Sequence, residues 1–354
     1  LLSGLCSACV FWLFIPVGCH AFYFLCIDMK LFYFLLSIVL LIGVFVYSMC
    51  VGDSLIGFKD FFDYISGSPT SETAVLVIRD IRLPRSLAAL LTGSALGVSG
   101  AMLQGMLRNP LASPFLLGIS SGAGVCVVIL FSLNILSWWI PVGAWFGAVV
   151  SALLVFCIAY DQKKISLERL ILSGVAVSSV LGSVQAIFLL RSDDTRIQNS
   201  LTWLSGTLAG RDWSDLTFTW LPIVLCLVGS LVFAKQLNLA LLDDDTSQSL
   251  GLSLTRLRIL IGLVATVLTA CSVCIAGLVG FVGLVIPHIA RLLCGSNFIY
   301  VLPFSGVLGA LAVLAGDVIA RVYFWELPVG IVTALFGSPF FIYLLRKRRM
   351  SGGF

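Results

Sequence analysis

Long apolar runs, each close to the length of one bilayer crossing and each ended by glycine, proline or a small cluster of charges, recur from residue 31 to residue 345. A stretch of about 20 apolar residues crosses the hydrocarbon core as a single helix. The runs predict helices near 31–51, 84–107, 114–133, 142–160 and 170–190, and again near 216–234, 259–276, 279–294, 299–320 and 328–345. Between Asn109 and Tyr160 lie 52 residues without a charge, too many for one crossing, and Trp138-Trp139 marks an interfacial break between two. The pattern predicts an all-α, polytopic membrane protein with ten transmembrane helices.

Composition narrows the class further. The 354 residues are 60% hydrophobic and 11% charged, against about 25% charged in soluble domains. This excludes a soluble enzyme, a disordered chain, a collagen-like chain and a secreted disulfide scaffold. The net charge of +4 is small and scattered, so no nucleic-acid partner is expected. Eleven Cys sit in apolar surroundings and only two His exist, His20 and His288, so the Cys read as core residues and no metal site is expected.

Charge is more informative as orientation. Counting Lys and Arg in alternate loops puts thirteen on one side, including Arg108, Lys163, Lys164, Arg169, Arg256, Arg258 and the Arg346–Arg349 tail, and eight on the other, which also carries most acids, among them Asp53. The positive-inside rule places the first set in the cytoplasm together with both ends of the ten-span unit. Met29-Lys30 leads directly into the first run. Residues 1–28 are therefore expected to be an amino-terminal extension upstream of a 29–354 transmembrane domain, or else an eleventh, interfacial or spanning segment.

Several features interrupt simple helix logic. Gly93, Gly97, Ala101 and Gly105 form a small-residue face, suited to close packing or to a central helix beside a substrate path. Gln104 and Asn109 near its end favour the second use. Two breaks, Asn109 to Pro114 and Gly277 to Pro287, combine proline and glycine at depths where protein or water must satisfy freed backbone groups. Asp317 and Arg321 are four apart and expected to pair. The loop 235–258 contains LLDDDTSQSLGL (241–252), where Asp243, Asp244 and Asp245 suit a helix start and Gly251 its end. No phosphate-binding G-x-x-x-x-G-K-S/T motif and no Ser, His, Asp trio is present, so any ATP is expected to be hydrolysed by another subunit.

Longer motifs carry a resemblance. Arg82-Leu-Pro-Arg85, GSALGVSGAMLQ (93–104), Asn109-Pro-Leu-Ala112, GLVGFVGLVIPHIARL (277–292), GDVIAR (316–321) and ELPVGIVTALFGSPFFIYLL (326–345) resemble the FecCD family of ABC importer permeases for ferric siderophores, haem and cobalamin. The resemblance implies ten helices in two inverted five-helix halves. It also implies a second permease subunit, identical or not, two cytoplasmic ATPase subunits that hold the ATP and Mg, and an extracytoplasmic substrate-binding protein, in a bacterial cytoplasmic (inner) membrane. It makes Arg82, Arg85 and Arg321 outward-facing docking residues for the binding protein. Gln104, Asn109 and Leu111, with Leu167 and Glu168, become pathway or gate residues. Asp243, Asp244, Asp245, Thr246, Ser247, Leu250 and Gly251 become the segment that couples to the ATPase. An iron chelate is the expected cargo, with haem or cobalamin as the alternative. A proton- or sodium-coupled secondary transporter would need buried acids near mid-membrane, where Asp317 is the sole candidate.

Overall fold

Helices occupy the apolar runs because a segment in a bilayer must satisfy its own backbone groups. The computed structural model describes residues 18–52, 57–68, 71–135, 139–161 and 164–350. Of the residues singled out above, Asp53, Trp138, Lys163 and most of the extension 1–28 lie outside the described residues. The elements are α1 (Gly18–Cys50), α2 (Phe58–Ile65), α3 (Glu72–Leu76), α4 (Leu83–Met106), α5 (Ile119–Ser132), α6 (Trp139–Ala159), α7 (Leu167–Leu190), α8 (Asp194–Leu204), α9 (Trp213–Val232), α10 (Ala234–Ala240), α11 (Asp244–Ser249), α12 (Leu254–Ala276), α13 (Val282–Cys294), α14 (Phe298–Tyr323) and α15 (Val329–Met350). A π-helical turn, Val77–Arg82, joins α3 to α4 without a break. A two-residue ribbon pairs β1 (Tyr160–Asp161) with β2 (Lys164–Ile165) antiparallel, Tyr160 opposite Ile165.

Seven helices among the described residues are long and apolar enough to cross a membrane, and three shorter apolar ones, Ile119–Ser132, Val282–Cys294 and Val329–Tyr343, fall at three further predicted positions. The predicted third span begins late because Pro114–Leu117 forms a 3₁₀ turn and Gly118 is left-handed, at φ +73°.

Helix α4 is the axis of the bundle. It is buried along nearly its whole length, and α12, α13 and α14 pack around it. The small-residue face explains how. A Cβ on Gly93 would lie 2.1 Å from the Gly309 carbonyl oxygen, and one on Gly97 2.1 Å from that of Ser305, so α14 approaches at backbone distance and runs antiparallel. One turn on, a Cβ on Gly100 would lie 1.9 Å from the Gly283 oxygen of α13. Packing, the first of the two uses expected for this face, is what the geometry shows at Gly93 and Gly97.

Both irregular breaks are satisfied by protein. At the first, Arg108 adopts φ +47°, the Ala112 amide donates to the Asn109 carbonyl at 3.1 Å, and the Leu111 amide donates to Asn109 Oδ1 at 2.9 Å. At the second, Gly277 and Phe281 both have positive φ, and Thr333 Oγ1 donates to the Gly280 carbonyl at 3.1 Å. The freed carbonyls thus find donors, within the same loop at the first break and on α15 at the second.

Candidate functional site

Two charged clusters sit at opposite ends of α4, separated by its 24 residues, which is about 36 Å of helix. At the amino end, Arg85 Nε donates to both Asp317 oxygens, at 3.0 and 3.1 Å, and its Nη2 lies 3.0 Å from Asp317 Oδ1. Arg85 Nη1 also reaches Glu326 Oε1 at 2.9 Å. Arg321 Nη2 donates to the Ser48 carbonyl and hydroxyl at 3.0 and 3.1 Å, and Arg82 Nη1 donates to the Met49 carbonyl at 2.5 Å. Two expectations change here. Arg82, Arg85 and Arg321 are buried rather than presented on the surface, because carbonyls in the last turn of α1 and acids on α14 and its following loop draw them inward. Asp317 forms its salt bridge with Arg85, not with Arg321 one turn away.

The loop that carries Glu326 is strained. Trp325 and Glu326 have φ of +46° and +62°, and Trp325 is 96% exposed. Positive φ is uncommon in residues other than glycine.

At the other end, the gate residues expected from sequence separate into two kinds. Gln104 is buried and committed to protein. Its Nε2 donates to the Ala112 carbonyl at 3.2 Å and to the Leu284 carbonyl at 3.0 Å, while Oε1 accepts from Arg291. It bolts the 107–113 loop and α13 to α4, so its polarity at depth does not mark a water-facing position. Asn109 is half-buried and shapes its own turn, and Leu111 is 46% exposed on that turn. Leu167, half-buried, and Glu168, exposed, begin α7, where Ser166 caps the helix by accepting from the Arg169 amide at 3.3 Å.

The acidic run forms the short helix α11, ended by Gly251 at φ +84°. Its residues divide by direction. Ser247 is fully buried, its hydroxyl donating to the Leu239 carbonyl at 2.9 Å. Asp244 turns inward: Oδ1 lies 2.7 Å from Arg108 Nη2, and Arg258 Nη2 donates to Oδ1 and Oδ2 at 3.2 and 3.1 Å. Burial pushes the Asp244 carboxyl up, but Arg258 and Arg108 outweigh it and hold it below its ordinary value. Asp243, Asp245, Thr246 and Leu250 remain exposed. Of the residues expected as one coupling surface, Ser247 therefore serves the inside of the chain, and Asp244, with its side chain still 46% exposed, is tied to two arginines of the same chain.

Sequence reasoning missed α8, Arg108 and Arg258 as functional neighbours. Only the adjacency of Arg108 to Asn109 could have pointed to one of them. The cavities among the described residues include an apolar groove of about 330 Å³ between α13, α14 and α15, bordered by Phe281, Ile289 and Phe336, and a more polar one of about 700 Å³ bordered by Trp203, Arg211 and Asp215. None of the expected gate residues lines either.

An all-helical membrane bundle, with one charged cluster at each end of its axis and irregular turns beside the second, defines a multi-pass membrane transport protein. The FecCD transport family matches residues 40–347, and the chain belongs to that family of ABC importer permeases. It is 38% identical over 325 residues to the Fe(3+)-citrate import system permease protein YfmD of Bacillus subtilis, covering 90% of this chain and 96% of that one. It is 40% identical over 283 residues to the cobalamin import system permease protein BtuC of Halobacterium salinarum, covering 79% and 76%. A solved structure described as an inward-facing conformation of a metal-chelate type ABC transporter superposes with TM-score 0.81 at 32% identity, covering 89% of this chain and 99% of that one.

Proposed function

We propose that this chain is the membrane permease of an importer for ferric chelates, crossing the cytoplasmic membrane ten times in two inverted five-helix halves. Two such subunits flank a central pathway, which accounts for gate residues that line neither cavity within one chain. The Arg108 end faces the cytoplasm, supported by the excess of Lys and Arg on that side. There the exposed Asp243, Asp245, Thr246 and Leu250, with Leu241 and Leu242 beside them, meet an ATPase subunit. The ATPase holds ATP and Mg and drives alternating access; the permease breaks no bond in its cargo.

The opposite end receives a substrate-binding protein. Among the described residues, Arg82, Arg85 and Arg321 gather there with Asp317 and Glu326 close beneath the surface. Glu326, 48% exposed at its side chain, is the internal carboxylate that an incoming acid on the binding protein competes with at Arg85. Such charge mainly steers and orients docking.

The observation that carries this reading is the family match along a membrane-length bundle, joined to a ferric-citrate relative that covers nearly all of both chains. The identity to an archaeal cobalamin permease favours cobalamin as the second reading. Purified permease, with its ATPase and binding protein, is reconstituted in vesicles and offered radio-iron-labelled ferric citrate, a ferric hydroxamate, haem and cyanocobalamin. Uptake of an iron chelate that requires ATP is the expected result. Selective uptake of cyanocobalamin overturns the iron assignment, and uptake by the permease alone without ATP overturns the importer reading.

A further inference from the structure

One carboxylate on α11 is shared by two arginines that belong to different parts of the chain. Asp244 Oδ1 meets Arg108 Nη2 at 2.7 Å, and Arg258 Nη2 donates to Oδ1 at 3.2 Å and to Oδ2 at 3.1 Å, so one carboxylate bridges both arginines. Each arginine holds a second anchor. Arg108 Nε donates to the Ala240 carbonyl at the end of α10, at 2.6 Å. Arg258 Nη1 donates to the Ile165 carbonyl in β2, at 2.8 Å, and its side chain is only 9% exposed.

The chain on either side of this node runs directly into the stretches expected to narrow the exit. Arg108 is followed at once by Asn109 and Leu111, and it holds its left-handed conformation, at φ +47°, while gripping Asp244. Ile165 stands two residues before Leu167 and three before Glu168, and the Arg169–Asp161 ion pair ties the first turn of α7 back to the ribbon. A shift of α11 by the length of one hydrogen bond therefore pulls on both stretches together, since both arginines are tied to the same carboxylate. Arg108 and Arg258, left facing each other without that carboxylate, repel.

We propose that Asp244 is the positioning residue that locks the 107–113 loop and the start of α7 to the cytoplasmic coupling helix, so that a push on α11 moves both sides of the exit at once. This rests on the importer reading above. It assigns the exposed acids Asp243 and Asp245 to the partner surface and removes Asp244 from it.

The test uses the complete importer in vesicles, with cargo moved per ATP hydrolysed as the readout and the same four cargo probes. Asp244→Asn, which keeps size and polarity, is expected to assemble and hydrolyse ATP as the parent does while cargo per ATP falls about tenfold. Asp244→Glu is expected to restore the ratio to within about twofold. A normal ratio in Asp244→Asn overturns the proposal, as does a parallel loss of hydrolysis and transport, which a merely structural or ATPase-contact role would produce. Should Asp244→Asn fail to assemble, Arg108→Gln, which leaves the Arg258 contact in place, must lower the ratio; a normal ratio there overturns it. ATP-independent uptake by the parent complex would instead overturn the importer reading and this inference with it.

Discussion

Arg85 and Asp317, 232 residues apart in the chain, form a forked ion pair with Nε within 3.1 Å of both carboxylate oxygens, and the Asp317 side chain is 1% exposed. The pair pins the start of α4 to the last turns of α14, the same two helices that touch through Gly93 and Gly309 further along. Removing one member of a buried pair strands the other charge, at a cost of roughly 3–5 kcal/mol, whereas replacing both with apolar residues is often neutral. Asp317→Ala should therefore lower the thermal stability of the detergent-solubilised protein far more than the double change Arg85→Met with Asp317→Leu. Equal losses from the two would mean that packing, not charge, governs this contact.

The α4–α14 seam admits no side chain. Gly97→Ala places a methyl group 2.1 Å from the Ser305 oxygen, and backbone cannot yield as a flexible side chain can. Overpacking of this kind costs about 1–3 kcal/mol, and more where two helices must part. Gly229→Ala, in α9 with nothing within 4 Å, is the matched control. The melting temperature should drop for the first and hold or rise slightly for the second.

Gln104 is expected to behave as a structural bolt. Gln104→Leu leaves the Ala112 and Leu284 carbonyls without this donor, at about 1–3 kcal/mol for a buried polar group left unsatisfied. The first consequence should be loosening of the 107–113 loop. Faster tryptic cleavage after Arg108 in the variant, with cleavage elsewhere unchanged, is the expected outcome; an unchanged rate would contradict the assignment.

Most of the apolar helices were legible because a bilayer imposes one simple rule, long apolar runs with little charge; among the described residues seven helices of membrane length and three shorter apolar ones follow it. Helix α8 was not legible: Asp194, Arg196, Gln198 and Asn199 make it polar, it is 11 residues long, and it is fastened through buried Ser200 and Trp203. The site was legible as residue identities but not as directions. Spacing of four suggested Asp317 with Arg321, yet a partner 232 residues away takes the carboxylate. Similarly, three consecutive aspartates look equivalent in a string of letters. Only the placement of Arg108 and Arg258 by α4 and α12 distinguishes Asp244 from its neighbours.

That difference among the aspartates predicts how the coupling helix responds to acid. Burial pushes the Asp244 carboxyl up, while Arg258 and Arg108 pull it further down, so its folded value lies below the ordinary 3.8. The charged groups facing it are those two arginines, with Asp243 and Asp245 exposed beside it on its own segment. A group with a lowered folded pKa contributes stability that is fully present above its unfolded value and is lost as pH falls through the folded one. Attachment of α11 should hence be constant from neutral pH to about pH 5 and loosen below about pH 4. The half-exposed carboxylate makes this a local effect, read as hydrogen exchange of residues 241–252 rather than as global unfolding. In Asp244→Asn those amides should exchange faster at neutral pH and show no further rise on acidification from this group. Identical profiles for parent and variant would mean that the arginines do not hold α11 through Asp244.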